Sequence, residues 1–192
     1  MAKAIEAPPV KKKVWWNKKS KSILIWLIEI AAVLLLAAGT AYVFFGAVTM
    51  QESSMEPTIQ ATDTVRINRF SYWLGSPKRG DIIAFKKSED DDASTHIKRV
   101  VGLPGETIQI RDGMISVNGE TYMETEDFPK INNAGIAEEP IKLGENQYFV
   151  LGDNRNNSED SRFSDMGSVE SKNIIGKVWF ITSPWKSVGF VS

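Results

Sequence analysis

The run from residue 23 to 48 constrains this chain most, because it is almost wholly apolar and Glu29 is its only charge. As a helix, 26 residues extend roughly 39 Å, enough to cross a hydrocarbon core of about 30 Å with some tilt. A helix buried in a soluble core is the alternative, but such helices are seldom this long and this uniformly apolar. Glu29 lies near the lysine-rich end, where it can reach the interface or pair with a flanking lysine; a proton path is the less favoured role. A cleavable signal peptide also places basic, apolar and small-residue zones in this order, here ending in Ala37, Ala38, Gly39 and Ala41. Its apolar region, however, usually spans only about 7–15 residues. The run therefore reads as an uncleaved anchor.

Charge sets the expected orientation. Residues 1–21 hold seven lysines (Lys3, Lys11, Lys12, Lys13, Lys18, Lys19 and Lys21) against one acid, Glu6, and the first basic residue after the run is Arg66. The positive-inside rule then predicts a cytoplasmic tail over 1–21, a single-pass anchor over 22–48 in the cell membrane, and an extracytoplasmic domain over 49–192. Beside a span, these lysines read as orientation signals and lipid-headgroup contacts. The overall charge of −1 argues against nucleic acid as a partner. With no cysteines, disulfides, thiol nucleophiles and thiolate metal sites are excluded, though the compartment is not decided by this.

Beyond the anchor the pattern changes to short β-branched and aromatic runs punctuated by turns. Strands are predicted over 64–68, 81–85, 97–101, 107–110, 114–117, 148–151 and 174–181, with tight hairpin turns at Asp112-Gly113 and Asn118-Gly119. Exposed loops are predicted over 88–95 and about 124–140. The expected fold is mainly β: a folded or barrel-like antiparallel sheet behind one N-terminal transmembrane helix. Trp179, Phe180, Trp185 and Phe190 could serve a bilayer surface, with core packing at least as good a reading for the first two.

One histidine, His96, beside an acidic stretch reads as a polar loop residue before it reads as a catalytic base. Metal sites built from several His or Cys ligands are excluded, and no loop has the oxygen spacing of a calcium site. A lysine can replace histidine as the base on a serine if burial disfavours its ammonium form. Lys98 opens the apolar pair Val100-Val101 and precedes a turn, Gly102-Leu103-Pro104-Gly105. On strand alternation it shares a face with Val100, and on local pattern alone it reads first as an edge-strand lysine. Ser54-Met55-Glu56-Pro57-Thr58 follows the anchor closely and reads either as a polar turn or as a nucleophile near the bilayer. A third segment, from Gly152 through Asp153, Asn154, Arg155, Asn156, Asn157, Ser158, Glu159, Asp160 and Ser161 to Arg162, is too dense in acids and arginines for an ordinary loop. It suggests a mutual network; its sequon, Asn156-Asn157-Ser158, is attributed to chance.

Together these segments resemble the conserved boxes of bacterial type I signal peptidases, serine proteases that use a Ser/Lys dyad. The first resembles the family's Ser-Met-x-Pro-Thr box and implies Ser54 as nucleophile, with Met55, Pro57 and Ser53 in the substrate and oxyanion region. The run Ile97-Lys98-Arg99-Val100-Val101-Gly102-Leu103-Pro104-Gly105-Glu106 resembles the box carrying the base and implies that role for Lys98. The third resembles the family's Gly-Asp-Asn-Arg-x-x-Ser-x-Asp-Ser-Arg box. It implies that Ser158 hydrogen-bonds the lysine while Asp153, Arg155, Asp160 and Arg162 hold the site together. Arg79-Gly80-Asp81-Ile82-Ile83 and Ile175-Gly176-Lys177-Val178 add supporting matches, and the resemblance covers about residues 50–183.

One position departs from the family. Two residues before the nucleophile its members commonly carry glycine or serine, and a serine there can donate to the oxyanion; here the residue is Glu52. The Ser54 N–H can still be one donor, Ser53 is a candidate for the second, and Glu52 is expected to point away. The resemblance implies an enzyme that removes signal peptides from exported precursors without metal or organic cofactor. Its partners would be precursors with small residues one and three positions before the cut, membrane lipid, and the secretion machinery as a further candidate. The main rival is a related membrane protein that binds exported chains without cutting them, as in pilus assembly. A self-cleaving Ser/Lys regulator of the DNA-damage type is disfavoured by the anchor.

Overall fold

The apolar run folds as helix α1, Lys18–Phe44, in a computed structural model that describes residues 18–73, 75–88 and 94–191. Positions 1–17 of the basic tail and 89–93 of the expected acidic loop lie outside the described residues. The chain divides into two units, Met1–Ala41 and Tyr42–Ser192. In the first, Lys19–Ala41 has a mean hydropathy of 2.4 and none of it is buried. An uncovered apolar helix of this length is no core helix, and it is long enough to span a bilayer. Thr40 returns its hydroxyl to the Leu36 carbonyl at 2.7 Å, so the helix satisfies that group internally.

The helix closes before the expected limit at Val48. Phe45–Thr49 instead forms β1, paired antiparallel along its length with β2, Thr64–Asn68. Aromatic and β-branched side chains suit a pleated surface better than a helix end, and the pair Val48↔Val65 carries the contact. The other strands are β3 (Ile82–Lys86), β4 (Thr95–Gly102), β5 (Thr107–Arg111), β6 (Met114–Val117) and β7 (Glu120–Thr121). They continue with β8 (Ile141–Lys142), β9 (Gln147–Leu151), β10 (Val169–Glu170), β11 (Ile174–Ser183) and β12 (Gly189–Phe190).

An eight-stranded sheet has the order β1-β2-β11-β3-β4-β9-β10, with β12 added to β11; a four-stranded sheet has the order β7-β6-β5-β8. Every pairing is antiparallel. The fold is thus mainly β, as the residue pattern predicts, but the large sheet stays open and no closed barrel forms among the described residues. Both predicted hairpin turns are present. Asp112-Gly113 and Asn118-Gly119 each have two positive φ angles (54° and 76°, 54° and 86°), the requirement of a two-residue turn whose twist matches its strands. The stretch over 124–140 is not simply an exposed loop: Ile131 and Ala137 are buried within it, beside a single 3₁₀ turn, Gly135–Glu138.

Strand β4 lies at the centre of the unit. Ile97, Val101 and Val100 enter three separate apolar clusters, formed around Met55, Phe149 and Phe85 respectively. Paired with β3 and, from Arg99 on, with β9, this strand buries every side chain from Ile97 to Val101. Lys98 is therefore no edge-strand lysine. Phe45, Trp179, Phe180 and Phe190 form an aromatic cluster with centroids 5.2–5.8 Å apart, whereas Trp185 is almost fully exposed.

Candidate active site

Ser54 follows β1 in a turn that is pinned at both ends. Met55 and Ile59 are fully buried in the apolar cluster behind it, and the Ile59 N–H donates to the Met55 carbonyl at 2.9 Å. From the other side, the Asn154 N–H donates to the Ser54 carbonyl at 3.1 Å and Asn154 Nδ2 to the Ser53 carbonyl at 3.1 Å. Asn157 Nδ2 reaches Ser53 Oγ at 3.0 Å. The Ser54 N–H donates no hydrogen bond among the described residues. Pro57 is exposed at the end of this turn, its carbonyl accepting from Gln60 Nε2 at 3.1 Å.

Lys98 Nζ lies 2.7 Å from Ser54 Oγ, and both side chains are buried. Burial pushes the Lys98 pKa down, opposed by the nearby Glu52 carboxylate and, further off, Asp160 and Glu159. A lysine in these surroundings reaches its neutral form at a lower pH than lysine in water, and a neutral amine this close to a hydroxyl can accept its proton. Glu52 does not point away. Its Oε2 is 3.5 Å from Ser54 Oγ and 3.7 Å from Lys98 Nζ, drawn there by the buried ammonium. His96 is half-buried on β4 with its ring 5.7 Å from Phe85, not a loop residue, and burial followed by Lys98 lowers its pKa.

The segment after β9 ties the site together. Asp153, fully buried, accepts from Arg99 Nε and Nη2, both at 2.8 Å, and from Thr58 Oγ1 at 2.5 Å. It thereby links the strand of Lys98 to the turn of Ser54. Asp160 accepts from Arg162 Nε and Nη2 at 2.7 and 2.8 Å and from the Gly152 N–H at 3.0 Å. Arg155 donates to the Gly152 carbonyl at 3.1 Å and forks onto Glu124, with its guanidinium 4.1 Å from the Phe128 ring centroid. Ser158 is the exception among the implied site residues: its buried Oγ has no hydrogen-bond partner among the described residues, and the lysine turns to Ser54 and Glu52 instead.

Thr58, Arg99, Glu124 and Asn157 also build this site. Arg99 carried a readable signal, because a charge within an apolar strand needs a partner; Glu124 carried none. Gly152 is required by closeness. A Cβ there would lie 2.1 Å from Ser158 Oγ and 2.4 Å from the Ser54 carbonyl oxygen. Gly152→Ala is therefore expected to displace the Ser54 backbone and cut the turnover rate about 100-fold, with a melting temperature that falls only modestly. Precursor-cleavage kinetics beside a thermal melt check it.

Comparison with known proteins finds relatives of this chain. The family model described as signal peptidase, peptidase S26, matches residues 23–185. Signal peptidase I P of Bacillus subtilis subsp. natto is 33% identical over 170 residues, covering 83% of this chain and 89% of its own. Signal peptidase I of Leptolyngbya laminosa is 34% identical over 182 residues, covering 90% and 85%. Signal peptidase I T of Bacillus subtilis is 30% identical over 179 residues, covering 90% and 91%.

Proposed function

Because the chain belongs to the signal peptidase family, peptidase S26, and is a membrane-anchored hydrolase that removes signal peptides, we propose that Ser54 is its nucleophile and Lys98 its general base. The observation that carries this reading is the 2.7 Å approach of two buried side chains, one a hydroxyl and the other a lysine whose charged form burial disfavours. Neutral Lys98 takes the Ser54 proton as Oγ attacks the scissile carbonyl, then gives it to the leaving amine as the tetrahedral intermediate collapses to an ester acyl-enzyme, which releases one product and leaves the lysine neutral again. It then takes a proton from water, which attacks the ester and frees Ser54. The Ser54 N–H supplies one oxyanion donor. Asp153, Arg155, Asp160 and Arg162 keep the pair dry and aligned.

The substrate path follows from the sheet. Among the described residues β1 pairs only with β2 and the start of β4 only with β3, which leaves the edges over 48–52 and 94–97 both open there. They bound a groove of about 380 Å³ beside Ser54, into which an extended precursor segment can add as a strand. The basic tail over 1–21 lies in the cytoplasm, and the unit after the anchor faces outward, beside the bilayer from which precursors emerge. Membrane lipid is then a standing partner of the anchor, and the secretion machinery delivers the substrate.

The full chain in detergent, given a precursor, is expected to cut it and to release both fragments; binding without cutting would favour the non-cleaving reading. Since the base works only when neutral, activity should rise with pH through the depressed Lys98 pKa and vanish on the acid side of it. Rates measured across pH check this, and activity undiminished in acid would remove Lys98 as the base.

A further inference from the structure

Resting on the roles of Ser54 and Lys98 just given, the geometry points to Glu52 as a positioning residue that holds the dyad idle and lets it go when a substrate strand enters the groove. Glu52 Oε2 is the only carboxylate oxygen within 4.0 Å of Lys98 Nζ among the described residues, at 3.7 Å. The two side chains differ sharply in freedom: Glu52 is 60% exposed and Lys98 1%. The other charged groups facing Lys98 are Asp160 and Glu159 from the segment after β9 and His96 from β4. Asp160 is already held by Arg162 and the Gly152 N–H, and Glu159 is exposed. From β3, the residue paired with Lys98 is the apolar Ile83. Among the described residues Glu52 is therefore the one counter-ion in direct reach of Lys98, and its exposure leaves it free to depart.

An ammonium has donors and no acceptor. With Lys98 charged, Ser54 Oγ accepts from it and turns its own hydrogen toward Glu52 Oε2, 3.5 Å away. The hydroxyl proton then lies on the wrong side for attack. Glu52 also lines the groove, so an incoming scissile carbonyl meets a carboxylate beside Ser54. A negative charge there repels the carbonyl oxygen and opposes the oxyanion that grows from it. Substrate entry thus drives Glu52 outward into water. Lys98 stays behind, buried and without its counter-ion, and releases a proton to bulk water through the opening Glu52 leaves. The neutral amine then accepts the Ser54 hydrogen, and the dyad is armed only when a strand is in place.

The test uses the fact that kcat/KM follows ionisations of the free enzyme and kcat those of the complex. In the wild-type chain in detergent, the acid limb of kcat/KM should lie about 1 pH unit above that of kcat, as befits one partly exposed carboxylate. Glu52→Gln keeps the size and removes the charge. It should lower the kcat/KM limb by about 1 unit, so that the two limbs meet and activity on the acid side rises about tenfold. The Lys98 side-chain carbon, followed by NMR in the full substrate-free chain, should titrate lower by the same amount, which decides the matter even if Glu52→Gln is inactive. Coincident limbs in wild type, or a Lys98 titration that Glu52→Gln leaves in place, would overturn the role of Glu52. Failure of the underlying reading looks different: no acid limb, or full cleavage by a chain lacking Lys98.

Discussion

Lys98→Met is expected to lose about 10⁴-fold in cleavage rate while melting no lower than the parent chain. A general base contributes up to about 10⁴-fold, and in residues that act as a unit one deletion costs nearly as much as removing the whole set. Ser54→Ala should fall as far, and the double variant scarcely further. Methionine has nearly the length of lysine, and Lys98 is fully buried on a strand covered on both faces. The substitution thus removes a desolvated charge and leaves little cavity. The sign of the pH effect follows. A folded-state lysine pKa below the usual 10.5 means that the unfolded chain binds more protons between the two values, so the parent gains stability as pH rises. The advantage of Lys98→Met should be full below the depressed pKa and shrink toward alkaline pH. Precursor cleavage and thermal melts of the same samples measure both effects, and cleavage within tenfold of wild type would place the base elsewhere.

Asp153→Ala is expected to cost about 3–5 kcal/mol, because it takes the paired carboxylate away from a buried guanidinium. Arg99 would lose both of its 2.8 Å acceptors, and Thr58 its 2.5 Å one. That is a large share of the roughly 5–15 kcal/mol by which such a domain is stable. Adding Arg99→Met should restore part of the loss, since a buried charge deprived of its carboxylate costs more than the missing bond itself. Activity should not return with stability, because Asp153 joins β4 to the Ser54 turn and the double variant leaves them unjoined. Denaturant unfolding of the single and double variants gives the coupling; a double variant less stable than Asp153→Ala would contradict this account.

Local pattern carried the strands and the hairpins well. Asp-Gly and Asn-Gly require φ angles that few other residues accept, so Asp112-Gly113 and Asn118-Gly119 announced their turns without help from the rest of the chain. It carried less where a partner decides the outcome. Phe45–Thr49 looks like the end of an apolar helix until β2 is beside it. Glu52 looked like a residue that should turn to water, yet a buried ammonium brought near by the fold draws it inward. Ser158 was expected on the lysine by resemblance, and its hydroxyl has no partner among the described residues. Glu124 gave no sign of Arg155, because nothing at its own position distinguishes a loop acid that faces water from one that faces a guanidinium 31 residues away.

The sequence alone determined a chain with one span-length apolar helix and a β unit in which a serine, a lysine and an arginine-rich segment recur in a family's order, because apolar length, turn chemistry and short motifs are local properties. Only the tertiary structure decided that Lys98 is interior rather than at an edge, that it meets Ser54 across 44 residues of sequence at 2.7 Å, and that Glu52 stands between them and the groove. Burial and charge proximity arise from which strands become neighbours, and they set whether a lysine in this chain is a solubilising charge or a base.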